Sequence, residues 1–119
     1  MTISKDLVAA SATPLVLAIL AEGDSYGYAI IKRVRELSND HLQWTDGMLY
    51  PVLHRLERNG YLEAQWGKSE TGRRRKYYRL TKDGRQHLQQ QREQWQAVDS
   101  ALRSIWSLVL LDPKPNAFA

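Results

Sequence analysis

One stretch limits the possible folds more than any other. Between Thr45 and Arg85 the chain spells out a helix, a stop and a charged hairpin. From Asp46 to Arg58 the apolar residues Leu49, Val52, Leu53 and Leu56 recur at helical spacing, so one stripe packs inward while the rest of the surface stays polar and aromatic. Thr45 supplies a capping hydroxyl before this helix, and Asn59-Gly60 supplies a stop after it. Pro51 is expected near the first turn, where its missing donor costs least. Strands are predicted at about 61–67 and 73–80, joined by a polar turn from Gly67 to Gly72. Alternation on the second strand sets Tyr78 and Leu80 on one face and Arg75, Tyr77 and Arg79 on the other, with Arg79 expected to pair across the ribbon with Glu63.

Upstream, a first helical region lies between Ser4 and Ala21. Pro14 falls inside it, and Thr13 could cap a second piece, so a kink or break is expected there. Leu15, Val16, Leu17, Ile19 and Leu20 leave little polar face, and Gly23 ends the segment. Ser25 is the expected cap of a second helix, Tyr26 to Leu37, which Ser38-Asn39-Asp40 terminates. Trp44 is placed to staple the third helix, and Trp66 and Trp106 read as packing residues.

After the hairpin, Thr81 caps a last helix that runs from Lys82 to about Leu111 and is stopped by Pro113. At about 1.5 Å per residue it is roughly 45 Å long. A core drawn from the preceding residues cannot cover that length. Leu88, Trp95, Leu102 and Val109 recur every seven residues, with Val98 and Ile105 interleaved, which makes a two-position heptad seam. A seam without a partner in its own chain calls for a second copy. The expectation is a homodimer joined through this helix, with the first helix sharing the contact.

Charge is concentrated. Lys68, Arg73, Arg74, Arg75, Lys76, Arg79, Lys82 and Arg85 face only Glu70 and Asp83 within residues 68–85. The whole chain is only +4, so the remainder is net acidic. Such localisation implies a polyanionic partner. With no cysteine, neither disulfides nor thiolate metal sites are possible, which fits a reducing cytoplasm. No secretory signal is evident, and the longest apolar run, Leu15 to Ala21, is far below the roughly 20 residues of a membrane span. His41, His54 and His87 lie on different elements without ligand spacing, and no phosphate loop or nucleophile motif is present. Catalysis, a metal and a cofactor are therefore not expected.

Three helices followed by a two-stranded ribbon match a mainly α fold, the winged helix-turn-helix, here with a long C-terminal dimerisation helix. The expected division is residues 1–81 for the winged-helix domain, 82–112 for the dimerisation helix and 113–119 for a tail. A helix with polar and aromatic groups beside four consecutive cations suits double-stranded DNA, the helix in the major groove and the ribbon on phosphates. Met48, Tyr50, Pro51, His54 and Arg55 are the groove candidates. Thr45 is a cap and phosphate contact, and Lys68, Arg73, Arg74, Arg75 and Lys76 are wing contacts, two of the three arginines reaching phosphate or the minor groove. Two copies on a two-fold axis would read a pseudo-palindromic operator.

At this point the chain resembles the PadR family of bacterial transcriptional regulators. The residues that carry the likeness are Gly27-Tyr28-Ala29-Ile30, then Leu49-Tyr50-Pro51 leading into Leu53-His54-Arg55-Leu56-Glu57 and Gly60, and finally Gly72 to Thr81 with Gly84 behind. The single terminal helix is similar to the family's small subgroup, some of whose members are multidrug-responsive repressors that bind flat aromatic drugs at the dimer centre. The resemblance implies an effector site at Trp95, Asp99, Leu7 and Val98, with a tryptophan from each subunit stacking on a planar aromatic molecule. Arg92 and Pro14 depart from that pattern. Other readings are a protein-interaction adaptor with an incidental basic wing, a DNA-binding regulator without a small-molecule effector, and a Trp95 that is simply seam packing, with Asp99 paired to Arg92 or Arg103.

Overall fold

A computed structural model describes residues 1–111. In chain order it has helices α1 (Lys5–Glu22), α2 (Gly27–Leu37) and α3 (Asp46–Arg58), strands β1 (Leu62–Lys68) and β2 (Arg74–Leu80), and helix α4 (Lys82–Leu111). The stop expected at Pro113 and the tail 113–119 lie outside the described residues. Contacts divide the chain into two units, Met1–Leu88 and the residues from Gln89 onward.

The first unit is a winged helix. Its core joins Val16, Leu17 and Leu20 of α1, Ile30 and Val34 of α2, the Leu49, Val52, Leu53 and Leu56 stripe of α3, and Leu62, Tyr78 and Leu80 of the ribbon. Each large side chain so buried contributes roughly 1.5–3 kcal/mol. The antiparallel ribbon pairs Leu62 with Leu80 and runs in register to Lys68 opposite Arg74. Thr45 caps α3 as expected, its Oγ1 accepting from the Met48 amide at 3.3 Å.

Four local expectations are corrected. First, α1 is one helix, capped by Ser4 and continuous through Pro14. Ala12 on one side of the proline and Val16 and Leu17 on the other are buried in the same core, and that packing outweighs one lost donor. Second, Ser25 does not cap α2. Its N–H and C=O pair with the backbone of Tyr78 at 3.1 and 2.7 Å, so the helix starts one residue later behind Tyr26. Third, Arg79 lies opposite Glu63, yet its Nε pairs with Asp24 Oδ2 at 3.5 Å. The Ser25–Tyr78 bridge carries that carboxylate alongside. Fourth, Pro51 is the sixth residue of α3, past the first turn, where its absent N–H would have bonded the Gly47 carbonyl.

The junction to α4 is tight. Thr81 Oγ1 donates to the Gly60 carbonyl at 2.7 Å and accepts from the Gly84 amide at 3.0 Å. The His87 ring stacks on Tyr61 with centroids 4.1 Å apart. Leu88, an expected seam residue, is half-buried and packs against the core of this first unit.

In the second unit Asp99 accepts from Arg103 Nε at 2.8 Å, one of the pairings considered for it. Val98, Leu102, Ile105 and Val109 are exposed in the protomer. Trp106, expected to pack, is also exposed, because a single protomer gives it no cover. Among the described residues no helix is long and apolar enough to cross a membrane.

Gly84 offers a sharp test of the junction, since a Cβ there would collide with the Tyr61 carbonyl and crowd Leu80. Gly84→Ala is expected to destabilise the protein by about 2 kcal/mol, read as a lower urea midpoint at unchanged slope.

Candidate nucleic-acid interface

With its apolar stripe turned inward, α3 leaves Tyr50 and His54 exposed, their ring centroids 6.2 Å apart. They face a cleft of about 630 Å³ that runs between the start of α2, α3 and the ribbon. Tyr26, Gly27 and Tyr28 line it from α2, and Trp66, Arg73, Arg74, Arg75, Lys76 and Tyr78 line it from the ribbon.

Aromatic rings hold the cations of this cleft. The Arg74 guanidinium lies 4.5 Å over the Trp66 ring. Arg75 lies 4.0 Å over Tyr26, whose ring meets Tyr77 edge-on at 5.6 Å. Lys76 Nζ stands 5.5 Å from the Tyr78 ring and 3.8 Å from a Glu57 carboxylate oxygen. Trp66 is thus no core residue; it is 55% exposed and serves as a seat for an arginine. At an exposed site such a contact contributes about 0.5–1 kcal/mol and leaves the positive charge unneutralised.

Beneath the cations the cleft is closely fitted. A Cβ on Gly27 would stand 2.5 Å from the Tyr50 hydroxyl and 3.0 Å from its ring, so only glycine lets this tyrosine lie against the start of α2. Tyr78 is 1% exposed, and among the described residues its hydroxyl has no hydrogen-bond partner. Burial above all, then the Glu57 carboxylate and Tyr50, pushes its phenol up to about 12.

The other groove candidates are dispersed. Arg55 remains exposed but donates through Nη2 to Thr13 Oγ1 of α1 at 2.9 Å. Met48 packs partly against the core and, with Thr45 and the buried Trp44, lines a separate cleft of about 400 Å³. Pro51 is exposed, and Lys68 lines a shallower hollow at the ribbon tip with Ser69, Thr71 and Arg75. Tyr26, Trp66 and Tyr78 belong to the main cleft although their roles there were not foreseen. No local signal marks them, because their partners are remote in sequence. Among the described residues no group of three or more His, Cys, Asp or Glu could hold a metal ion.

Comparison with known proteins accords with this architecture. The model of the Transcriptional regulator PadR-like family matches residues 16–90. The solved structure of a transcriptional regulator from Clostridium thermocellum is 35% identical, with a TM-score of 0.77 over 87% of this chain and 97% of that one. A PadR family transcription regulator from Clostridium difficile is 30% identical, with a TM-score of 0.71 over 80% of this chain and 97% of its own. Transcriptional regulator YqjI of Escherichia coli is 29% identical over 93 residues; the match spans 76% of this chain but only 42% of that longer protein.

The buried Tyr78 phenol makes stability depend on alkaline pH. Its folded pKa of about 12 lies above the roughly 10 of an unfolded tyrosine, so its contribution is complete below pH 10 and is lost as pH rises towards 12. Between pH 9 and 11, urea unfolding of the native chain should lose about 1 kcal/mol more than that of Tyr78→Phe, because the other titrating groups cancel between the two proteins.

Proposed function

The chain belongs to the PadR-like family of transcriptional regulators, a DNA-binding family and not one of enzymes, and on that premise we propose that it is a homodimeric repressor released by a planar aromatic ligand. The observation that carries this reading is the exposed apolar strip on α4. Val98 and Ile105 are half exposed, and Leu102 and Val109 are about two-fifths exposed, at the spacing of a helix–helix seam. Closing a second copy over that strip removes it from water and fixes two reading units about a two-fold axis. Each then meets one half-site of a pseudo-palindromic operator in the cytoplasm.

In this reading Tyr50 and His54 face the major groove, and Thr45 meets a phosphate at the amino terminus of α3. Arg73, Arg74 and Arg75, with Lys68 and Lys76, grip phosphates on either side. Arg55 works differently. Its bond to Thr13 ties the recognition helix to α1, so it acts as a strut between the two helices. Met48 and Pro51 shape the helix surface. In this reading residues 1–81 form the DNA-binding domain and 82–112 the dimerisation helix.

For the ligand, Trp95 supplies a flat indole face, with Val98 on the same helix. Asp99 is already paired with Arg103, so a cationic ligand would compete for that carboxylate. The ligand need only favour a spacing of the recognition helices that misfits the half-sites, since coupling equals its difference in affinity for the two arrangements.

Gel-shift titration against DNA from upstream of the chain's own gene is the first test. Affinity should fall steeply with salt, and Arg74→Ala should weaken binding while lowering the slope of log K against log salt by about one. A salt-independent interaction without preference for that DNA would overturn the DNA reading. The ligand site is tested with a planar cationic dye. Tryptophan fluorescence of the native dimer should quench and operator affinity should fall, whereas Trp95→Ala should show neither response.

A further inference from the structure

We propose that the cleft between α2, α3 and the ribbon is also a binding site for single-stranded nucleic acid, with Trp66 and Tyr28 as stacking platforms for unpaired bases. The inference rests on the reading of this cleft as a nucleic-acid interface and adds to it a second form of the polymer.

The cleft holds more aromatic surface than a duplex can use. In B-form DNA the base faces are hidden in the stack, and a protein meets base edges, sugars and phosphates. Gripping phosphates needs cations, and seating two of those cations takes one ring each, Trp66 for Arg74 and Tyr26 for Arg75. Aromatic surface is left over. Trp66 is 55% exposed even with Arg74 4.5 Å from its ring centre, and Tyr28, which lines the cleft from α2, is 71% exposed.

Large rings left in water mark an interaction surface, and the charge around these two selects the partner. Arg73, Arg74, Arg75 and Lys76 line the same cleft, and among the described residues no carboxylate does. The occupant therefore combines negative charge with flat apolar faces. An unpaired nucleotide has both, because its base offers open π faces and its phosphate is an anion. The four cations are consecutive, and at about 3.3 Å per residue they extend for roughly 10 Å along the ribbon, enough to meet more than one phosphate of a strand. A single strand can thus lay its backbone along the cations and turn its bases onto Trp66 and Tyr28.

The test is a fluorescence titration of the full chain at fixed ionic strength. The probes are a short thymidine oligonucleotide, an abasic deoxyribose-phosphate strand of the same length, a uridine oligonucleotide, and a duplex from upstream of the chain's own gene. The abasic strand has the charge without the base faces. The thymidine strand should bind about tenfold more tightly than the abasic one and quench tryptophan emission. Trp66→Phe keeps a ring, so it should still bind but lose the quenching. Tyr28→Ala, at an exposed position that the core does not need, should lower the ratio of thymidine to abasic affinity about tenfold. Binding of the uridine strand as tightly as the thymidine strand supports the site for RNA as well as DNA, and weaker uridine binding supports it for DNA. If the duplex binds but the thymidine and abasic strands bind equally, the stacking site is wrong and the duplex reading stands. If the thymidine strand behaves as expected and the duplex does not bind, the duplex reading falls and this site stands. Quenching that persists in Trp66→Phe places the bases elsewhere on the chain and overturns the site, and an unchanged affinity ratio in Tyr28→Ala overturns the role given to that ring.

Discussion

Tyr78 is the residue on which the side of the domain that carries the cationic cleft is assembled. Its backbone is paired on both sides, with Ala64 of β1 and with Ser25 ahead of α2. Its ring is buried among the helices. One residue therefore fixes where the ribbon stands relative to the start of α2. The consequences spread outward. Because Ser25 is engaged, α2 begins behind an uncapped Tyr26, and Asp24 is carried beside Arg79. Exposed ion pairs of this kind contribute little stability, but this one keeps a carboxylate occupied outside the cationic cleft.

The elements themselves were legible because each is written in local periodicity. The α3 stripe, the Thr45 and Thr81 caps and the two strands depend on neighbours only a few residues away. Tertiary pairings were not legible. Ser25 reads as a cap because serine before an apolar helix usually is one, and only its meeting with a residue far along the chain overrides that preference. Pro14 reads as a break until Val16 and Leu17 are seen in the same core as Ala12. Leu88 fits the heptad by arithmetic, yet it lies close enough to the winged domain to join its core. Side-chain placement in the cleft was the least accessible level. Arg55 and His54 are adjacent in sequence, and packing directs one to α1 and the other to the cleft.

The same division separates the two ends of the chain. The winged unit closes its own core, with Val16, Leu17, Ile30, Val34, Leu49 and Leu53 fully inaccessible. From Val98 to Leu110 the large apolar residues of α4 are exposed. An exposed apolar strip marks an interaction surface, and its regular spacing suits another helix better than a flat surface. Folding and any assembly through α4 are therefore separable, since the winged unit closes its core within one chain.

The treatment of charge follows from the same requirement. A cation already paired with a carboxylate must break that pair before it meets another anion, at a small cost where the pair is exposed. Arg74 and Arg75 avoid this cost by resting on Trp66 and Tyr26. An aromatic face restrains a guanidinium and limits the side-chain entropy lost on docking, yet leaves its donors and its charge available. Lys76 is the exception. Its ammonium lies 3.8 Å from Glu57, a residue of α3. The pair joins ribbon to helix, so part of the Lys76 charge is offset in return for fixing where its neighbours stand.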